Sequence, residues 1–480
     1  MKKGDILELE IEKFAFEGKG VSKINREPAG EKNYVVFVHG AYPGDKLLAR
    51  IIKIKKNYAE AAVERIILPS KNRIKARCRF FGICGGCTQQ DLDYNAQIKF
   101  KEKQVEEIFT KLGGFKELAV EPIIHSENIF FYRNKMEFSF ANRRWRTKEE
   151  LDQDLQDLQD EEEIALGLHV PNIYDKVLDI DECFLQSEQS NNILNFTRNF
   201  FKEKRASVYS IRTHSGYLRN LVIRMSSRTK DLMVNLVASE DNDPLMNQYT
   251  ESLIKRFPAV TTVINNINLK KAAIAVGDYE KIYYGSGYIY DCIGNYKFRV
   301  SANSFFQTNT LQAEKLYQTA LDYADLTGWE TVYDLYSGAG TISIFISRHA
   351  KEVYGFENAD AAVKDAEENK KLNGIDNVHF ISADLYKSFL PKIQLNDLPV
   401  PDAVILDPPR SGMHKTTVED IIKISPEKIV YVSCNPATQV RDIKLFTESG
   451  YNLIKIRPVD MFPHTNHIEN VALLIKENKG

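Results

Sequence analysis

The chain has 480 residues and a mass of 55.0 kDa, which is enough for two or three domains. Its hydrophobic content of 43% and charged content of 27% are ordinary for a globular protein, and a net charge of −2 excludes a polycation. No apolar run is long enough to span a bilayer and the N-terminus lacks a signal-peptide core, so we expect a cytoplasmic protein that does not enter the membrane.

Charge is distributed unevenly along the chain. Residues 53–79 carry nine basic and two acidic side chains, and residues 195–230 carry nine basic and one acidic. Aromatic residues such as Phe80 and Tyr209 are interleaved with them, which fits a nucleic-acid surface, although an ordinary solvated surface is the alternative. Between these segments, residues 149–163 hold nine acids and no base. We interpret that stretch as an exposed excursion and assign it no function.

The first 69 residues predict a small β-barrel. Alternating or β-branched residues indicate strands at 5–12, 35–38, 47–54 and 61–67, with turn residues between them. Short strands at this spacing are typical of barrels that resemble the OB-fold.

Residues 70–300 predict a central α+β domain. The pattern over 91–111 is strongly helical. Apolar runs at 132–140, 164–170, 218–225 and 232–238 indicate strands.

Residues 301–480 predict a Rossmann-like domain, so the whole chain is expected to be a multidomain α/β protein. Strands at 331–335, 352–356, 378–381, 403–406 and 429–433 alternate with helical segments, which is the pattern of a doubly wound parallel sheet. Apolar runs at 451–456 and 470–475 predict a hairpin at its edge.

The first of these strands runs into a glycine turn, Ser337-Gly-Ala-Gly340, although the full G-x-G-x-x-G pattern is absent. Glu357 ends the next strand, where an acid can bind the hydroxyls of a ribose. Asp384 follows the third strand and could meet an adenine edge. Because no Lys or Arg lies in the glycine turn to balance a pyrophosphate, the pattern favours S-adenosylmethionine over NAD.

A cysteine and an acid follow the next two strands. Ala403-Val-Ile-Leu-Asp-Pro-Pro-Arg410 ends in a carboxylate, and Ile429-Val-Tyr-Val-Ser-Cys-Asn-Pro436 ends at the thiol of Cys434. Since Asn-Pro cannot continue the strand, the thiol is expected at the open edge of the sheet. Covalent catalysis requires a thiolate, and a nearby cation lowers a thiol pKa. We expect Arg410 and Arg441 to supply that charge.

The last connection of the sheet, Asp460-Met-Phe-Pro-His-Thr-Asn-His-Ile-Glu469, carries two histidines and a carboxylate. Glu469 is a candidate general base, and His464 or His467 is a candidate for orienting that base or the substrate.

Four cysteines have metal-site spacing. Cys78, Cys84 and Cys87 cluster, and Cys183 follows about a hundred residues later. Four thiolates can hold zinc or an iron–sulfur cluster, and spacing alone leaves both open. Cys292 matches no motif and is interpreted as a packing residue.

Five motifs occur in order along the C-terminal third of the chain: Phe305-Phe-Gln-Thr-Asn309, Asp334-Leu-Tyr-Ser-Gly-Ala-Gly340, Asp407-Pro-Pro-Arg-Ser-Gly412, Val432-Ser-Cys-Asn-Pro-Ala-Thr438 and Asp460-Met-Phe-Pro-His-Thr465. Together they resemble the S-adenosylmethionine-dependent RNA uracil-C5 methyltransferases, which make 5-methyluridine in ribosomal and transfer RNA. The predicted barrel resembles the TRAM domain that precedes many of these enzymes.

The resemblance implies roles for individual residues. Cys434 would be the nucleophile that adds to uracil C6, and Glu469 the base that removes the C5 proton. It implies S-adenosylmethionine contacts at Gln307, Tyr336, Thr341, Glu357, Asp384 and Asp407. Thr341 stands where several relatives have Asn, and Asp384 where some have Asn. The four cysteines would hold a [4Fe–4S] cluster.

The resemblance further implies an RNA partner, with 23S ribosomal RNA favoured over transfer RNA, and we expect a monomer. A cytosine-C5 RNA methyltransferase is disfavoured because Asp407-Pro-Pro stands where those enzymes carry Pro-Cys. A non-catalytic iron–sulfur RNA-binding protein is disfavoured because Cys434 and Glu469 are both present. A small-molecule methyltransferase would leave the barrel and basic segments without a role.

Overall fold

The computed structural model describes residues 1–24, 34–145, 164–171, 176–271 and 275–477. Its N-terminal strands form a six-stranded sheet. In chain order they are β1 (Ile6–Glu10), β2 (Lys13–Phe14), β3 (Gly20–Ile24), β4 (Tyr34–His39), β5 (Lys46–Ile54) and β6 (Tyr58–Leu68). The sheet order is β1-β5-β6-β4-β3-β2. The four predicted strands are confirmed. β2 and β3 escape prediction because one has two residues and the other mixes glycine, serine and lysine with its apolar positions.

A long helix follows and packs on the C-terminal half of the chain. Helix α1 (Tyr94–Glu107) is capped by Asp93, whose side chain accepts from the backbone N–H of Ala96, and it continues as a π-helical turn over Ile108–Gly113. Strand β7 (Ala119–Val120) comes next. Val105 and Phe109 lie in the core formed with the C-terminal sheet.

The central sheet has seven strands in the order β10-β9-β8-β11-β12-β13-β14. They are β8 (Lys135–Ala141), β9 (Ala165–His169), β10 (Val177–Asp179), β11 (Leu218–Met225), β12 (Leu232–Ala238), β13 (Thr262–Ile267) and β14 (Tyr279–Tyr284). Helices α2 (Glu188–Glu203) and α3 (Asp243–Arg256) pack on it through residues such as Phe201 and Tyr249.

The predicted strand at 132–140 begins later, at Lys135, for a specific reason. Asn134 turns toward the C-terminal domain, where its Nδ2 donates to Gln307 O and Thr310 Oγ1, both at 2.8 Å. The backbone N–H of Arg133 donates to Leu185 O and that of Asn134 donates to Thr308 O, both at 2.9 Å, so these donors are not used in the sheet and a purely apolar pattern overestimates the length of the strand.

The C-terminal domain is a doubly wound sheet of eight strands in the order β19-β18-β17-β20-β21-β23-β22-β7. A hairpin of β15 (Tyr288–Ile293) and β16 (Tyr296–Ser301) precedes β17 (Thr331–Leu335), β18 (Glu352–Glu357), β19 (Val378–Ser382), β20 (Ala403–Leu406), β21 (Lys428–Ser433), β22 (Tyr451–Val459) and β23 (Glu469–Lys476). The predicted strands are confirmed. The predicted edge hairpin forms, but β7 covers its outer strand, so β22 is not the edge.

Helices cover both faces of this sheet. They are α4 (Thr310–Ala324), α5 (Thr341–Ile346), α6 (Asp360–Leu372), α7 (Leu390–Leu395), α8 (Lys415–Ile424) and α9 (Pro436–Thr447). One core joins α4, α5 and the β15–β16 hairpin to the sheet, and a second joins α1, α8 and α9 to its other face. Parallel strands β17, β18, β20 and β21 therefore end at one common edge.

Several cations of the two basic segments support the fold. Arg73 is ion-paired with Asp45 at 2.8 Å, and Arg198 pairs with Asp179 at 2.7 Å. Arg224 is buried and donates to the carbonyl oxygens of Ala302 and Ser304. These residues are committed to protein contacts, so the surface available to nucleic acid is smaller than the charge pattern predicts. The acidic stretch 149–163 lies outside the described residues.

Helices in the described ranges are all too short or too polar to traverse a lipid bilayer.

Candidate active site

The carboxyl ends of the parallel strands open into a cleft of about 1130 Å³. The cleft lies between the C-terminal domain and residues of the central domain such as Arg133 and Glu280. Six of the eight predicted catalytic and cofactor residues line it: Gln307, Tyr336, Glu357, Asp407, Cys434 and Glu469.

Cys434 and Glu469 lie side by side because of strand register. Ser433 is the last residue of β21, and it pairs with Asn470 of the antiparallel β23. One step further along each strand places Cys434 opposite Glu469 at the open edge. A thiol and a carboxyl are thereby fixed beside each other by backbone pairing.

Three acidic groups of the cleft have raised pKa values: Cys434, Asp407 and Glu469. Burial raises the pKa of Cys434 to about 12, and the carboxyls of Glu469 and Asp407 contribute to that rise. Burial raises the pKa of Asp407 to about 7. Burial, together with Asp407, raises the pKa of Glu469 well above its usual range. Three acidic groups in one poorly solvated cleft oppose each other's ionisation.

The two arginines proposed to activate the thiol differ in position. Arg410 lines the cleft, and its guanidinium acts to lower the pKa of Cys434. Arg441 is ion-paired with Asp442 at 2.7 Å and also donates to the carbonyl oxygen of Met413. Arg410 therefore acts on the thiol in the expected direction, but burial and the two carboxyls outweigh this one cation, so the pKa of Cys434 is raised.

The two histidines also separate. His467 lines the cleft, and burial, together with the cation of Arg410, lowers its pKa to about 4. Its imidazole is therefore neutral at physiological pH. His464 is buried away from the cleft, stacks on Phe130 and is held by Gln97. Its φ of +65° is uncommon for a residue other than glycine.

The glycine turn supplies the other wall of the cleft. Tyr336 has a φ of +68°, a strained conformation for a bulky residue, and its backbone N–H and that of Ser337 donate to Phe356 O. Gly338 lines the cleft with a φ of +54°, and a Cβ there would meet no atom within 4 Å. The turn thus exposes bare backbone to the cleft.

Glu357, the last residue of β18, is hydrogen-bonded to the glycine turn. One carboxylate oxygen accepts from the N–H of Gly338 at 3.0 Å, and the other accepts from Asn358 and Ala359 at 2.8 Å each. A carboxylate has about four acceptor positions, so one remains for a ligand hydroxyl. The glycine turn itself carries no Lys or Arg, and the remaining acceptor position of Glu357 suits a neutral hydroxyl group.

Two predicted cofactor residues lie off the cleft wall. Thr341 opens α5, and its hydroxyl is hydrogen-bonded to Tyr317 Oη at 2.9 Å. Asp384 is ion-paired with Lys387 at 2.9 Å, although the next two residues, Leu385 and Tyr386, line the cleft.

Sequence patterns missed several cleft residues. Arg133, Arg299 and Lys364 bring cations, and Glu280 and Asp365 bring carboxylates. Arg133 lies in Phe130-Phe-Tyr-Arg133, an aromatic and basic run whose position in the cleft follows only from how the central domain packs. The buried Nε of Arg133 has no hydrogen-bond partner among the described residues.

The four cysteines converge on a second, small cavity of about 20 Å³. Cys78, Cys84, Cys87 and Cys183 all line it, and burial raises the pKa of each thiol. The N–H of Gly86 donates to Cys84 Sγ at 3.3 Å, and Gln90 Nε2 donates to Cys87 Sγ at 3.6 Å. In the described ranges no three His, Cys, Asp or Glu side chains are placed to hold a single metal ion.

A doubly wound sheet, an acid with a remaining acceptor position after its second strand and a thiol beside a carboxyl at its open edge are the features of a methyltransferase of the Rossmann-like class. Comparison with known proteins agrees. The family model described as tRNA (Uracil-5-)-methyltransferase matches residues 248–477, and the TRAM domain matches residues 1–63.

Relatives extend the match over nearly the whole chain. An uncharacterized RNA methyltransferase of Chlorobaculum tepidum is 41% identical over 98% of this chain and 96% of its own length. One of Porphyromonas gingivalis is 40% identical over 98% of this chain and all of its own length.

A solved structure also aligns along the chain. The Pyrococcus abyssi tRNA (uracil-54, C5)-methyltransferase, in complex with S-adenosyl-L-homocysteine, is 28% identical with a TM-score of 0.74, covering 98% of this chain and all of that one. The chain belongs to the RNA uracil-5-methyltransferase family with an N-terminal TRAM domain.

Proposed function

We propose that this enzyme converts a uridine of RNA into 5-methyluridine through a covalent bond from Cys434. The observation that carries the proposal is the register of β21 and β23, which sets a thiol beside a carboxyl in the cleft that Glu357 and the glycine turn also line. Uracil C5 is a weak nucleophile, and a thiol at C6 together with a base near C5 is the pair that its activation needs.

The cofactor S-adenosylmethionine supplies an electrophilic methyl group on a positively charged sulfur. The Cys434 thiolate gives an electron pair to C6, and the C5–C6 double bond becomes an enolate. C5 of the enolate attacks the methyl carbon, the bond from that carbon to sulfur breaks, and S-adenosyl-homocysteine leaves with the electron pair of the broken bond. Glu469, as carboxylate, then takes the C5 proton. The electrons of the broken C5–H bond restore the double bond and expel Cys434, so the enzyme returns unchanged apart from one proton to be shed from Glu469.

Within this proposal, Gln307, Tyr336, Glu357 and Asp407 contact the cofactor from the cleft wall. Asp384 accepts from the adenine amino group after leaving Lys387, since an exposed ion pair is weak. Thr341 has an indirect role: its hydrogen bond to Tyr317 helps to hold the glycine turn in place for the cofactor.

The target uridine must leave any base stack before its C6 can reach Cys434. We propose large-subunit 23S ribosomal RNA as the substrate, because the resemblance of the four-cysteine set leans towards the enzymes that act on that RNA. Transfer RNA is the second candidate, and the full-length match to the Pyrococcus abyssi tRNA enzyme favours it.

We propose that Cys78, Cys84, Cys87 and Cys183 hold a [4Fe–4S] cluster. The four thiols share one cavity, yet no three are placed around a single ion within the described chain. Four thiolates are the donor set of both a structural zinc site and a [4Fe–4S] cluster, and the resemblance to the methyltransferase family favours the cluster. The N–H groups of Gly86 and Gln90 would stabilise two of the thiolates. Anaerobic purification should give about four irons per chain, whereas one zinc per chain without iron would contradict the cluster.

The substrate is tested by incubating the enzyme and labelled S-adenosylmethionine with unmodified 23S ribosomal RNA and, separately, with transfer RNA lacking 5-methyluridine. We expect label in 5-methyluridine of the ribosomal RNA. Label in transfer RNA alone would select the second candidate. Label in neither, with cofactor bound, would contradict both.

A further inference from the structure

The β22–β23 loop (residues 460–468) leads directly to the proposed base. Its two ends are adjacent, because Val459 of β22 pairs with Glu469 of β23. Glu469 is only 6% exposed, and none of the described residues donates a hydrogen bond to its carboxyl. Its direction is therefore set by the backbone: pairing of β23 with β21 and β22 fixes where Glu469 lies, and the loop that ends at Ile468 constrains the chain as it enters the strand at that residue.

Helix α1 holds the beginning of the loop through a buried ion pair. Lys101 Nζ donates to Asp460 Oδ1 at 2.7 Å and to Phe462 O at 3.1 Å, and neither charged side chain is exposed. Tyr94 Oη donates to the second oxygen of Asp460 at 2.9 Å. A fully buried pair with further hydrogen bonds restricts geometry, even where its net contribution to stability is small.

One turn earlier, Gln97 holds the middle of the loop. Its Oε1 accepts from the N–H of His464 at 2.9 Å, and its Nε2 donates to Gln89 O at 3.0 Å and Leu92 O at 2.7 Å. The N–H groups of Thr88 and Gln89, just after Cys87, donate to His464 O at 2.9 and 3.0 Å. These bonds keep His464 at its unfavourable φ of +65°.

The N-terminal domain reaches the end of the same loop. Asn466 Nδ2 donates to Glu17 O at 2.6 Å. The TRAM domain, the segment after Cys87 and α1 thus all contact this loop. Their contacts lie three to nine residues before Glu469 in the chain. Cys434 lies outside this network, since β21 and α9 carry it.

We infer that Gln97 and Lys101 are positioning residues for Glu469, acting through the β22–β23 loop. The inference rests on the proposed function, because it assigns these residues to one step of that reaction. Loosening the loop should misdirect the carboxyl of Glu469 and slow removal of the C5 proton. Addition of Cys434 and transfer of the methyl group should continue, so the methylated enzyme–RNA adduct should accumulate.

The experiment compares three enzymes with wild type in single turnovers. Gln97→Leu removes both hydrogen-bonding atoms of one anchor. The double variant Lys101→Met with Asp460→Asn removes the other anchor without leaving a buried charge unpaired. Tyr451→Phe is the matched control, since it removes one buried hydrogen bond, to Pro426 O, from the far end of β22. Methyl label in the denaturation-resistant adduct and tritium release from C5-tritiated uridine are followed together.

We expect both anchor variants to slow tritium release by about tenfold or more, the scale of a displaced general base, while methyl incorporation stays within about threefold of wild type. The control should show no excess adduct. A parallel fall of methyl incorporation and tritium release, with no adduct, would show that the residues merely support the fold and would overturn the inference. If Gln97→Leu does not fold, Gln97→Glu keeps the acceptor for His464 and loses the donors, and the same criteria apply.

Glu469→Gln separates failure of this inference from failure of the proposed chemistry. Adduct in Glu469→Gln but not in the anchor variants would refute the positioning role alone. No adduct in Glu469→Gln, with tritium release continuing, would remove Glu469 from the base role and the positioning role with it, whereas methylation by Cys434→Ala would overturn the proposed function itself.

Discussion

Cys434 and Glu469 stand opposite each other at the open edge of β21 and β23, one residue beyond the paired Ser433 and Asn470. The carboxyl of Glu469 helps to raise the pKa of Cys434, and Asp407 helps to raise the pKa of both groups. The environment of the cleft therefore favours the neutral forms of Cys434, Glu469 and Asp407. A cation entering the cleft would favour their ionised forms, and a sulfonium is such a cation.

Cys434→Ala should abolish methyl transfer, because no other thiol lines the cleft within the described chain. Cofactor affinity should stay within about threefold, since the glycine turn and Glu357 are untouched. Filter binding with labelled S-adenosyl-homocysteine and a methylation assay measure the two quantities. Retained methylation would contradict a covalent mechanism.

Alkylation of Cys434 should report its protonation state. With a pKa of about 12, its rate of reaction with iodoacetamide should rise about tenfold per pH unit between pH 7 and 9. Arg410→Gln should slow it severalfold by removing the cation that favours the thiolate, whereas Arg441→Gln, which removes a charge already paired with Asp442, should not. Mass spectrometry of the peptide containing Cys434 gives the rate. A plateau below pH 8 would contradict the raised pKa.

Asp407→Asn should stabilise the protein in a pH-dependent way. The folded-state pKa of Asp407, about 7, lies above its value in the unfolded chain, so its contribution is fully present near pH 4 and is lost as pH rises toward 7. Asparagine does not ionise, so its free energy of unfolding does not carry this pH dependence. The difference in free energy of unfolding between the variant and wild type should therefore rise, in favour of the variant, by on the order of 2 kcal/mol from pH 5 to pH 8. Urea unfolding at both pH values measures it, with the exposed Asp376→Asn as control. An equal effect at both pH values would show that Asp407 is ionised throughout.

Glu357→Gln should weaken binding of S-adenosyl-homocysteine by about tenfold or more, because a charged acceptor for a ribose hydroxyl is lost. The control is Glu352→Gln at the start of the same strand, whose carboxylate contacts His379. Calorimetry gives both affinities. Equal affinities of the two variants would remove Glu357 from the cofactor site.

Sequence patterns predicted the C-terminal domain well because its strands are buried and apolar and each ends in a polar or glycine turn. Parallel strands share an edge, so the order of the strands alone leads one to expect Glu357, Asp407 and Cys434 in a single cleft. The predicted position of Glu469 in the same cleft required the last strand to run antiparallel beside β21. The sequence pattern of a terminal hairpin indicates that direction.

Sequence patterns did not predict contacts between segments that are far apart in the chain. The pairing of β7 with β22 joins residues more than three hundred positions apart, and two residues are too few to give a periodic signal. The sequence gives no reason to distinguish Arg410 from Arg441 as a cation near the thiol. The fold shows that Arg441 is ion-paired with Asp442. The bounds of the three domains, the monomeric state and the cytoplasmic location stay predictions.

The measurement that tests the central claim most directly is the ratio of C5 tritium released to methyl groups transferred, using RNA labelled at uridine C5. We expect one tritium released for each methyl group gained in wild type, and neither event in Cys434→Ala. Methyl transfer without tritium release would place the new methyl group elsewhere on the nucleotide and would contradict attack by Cys434 on the uracil ring.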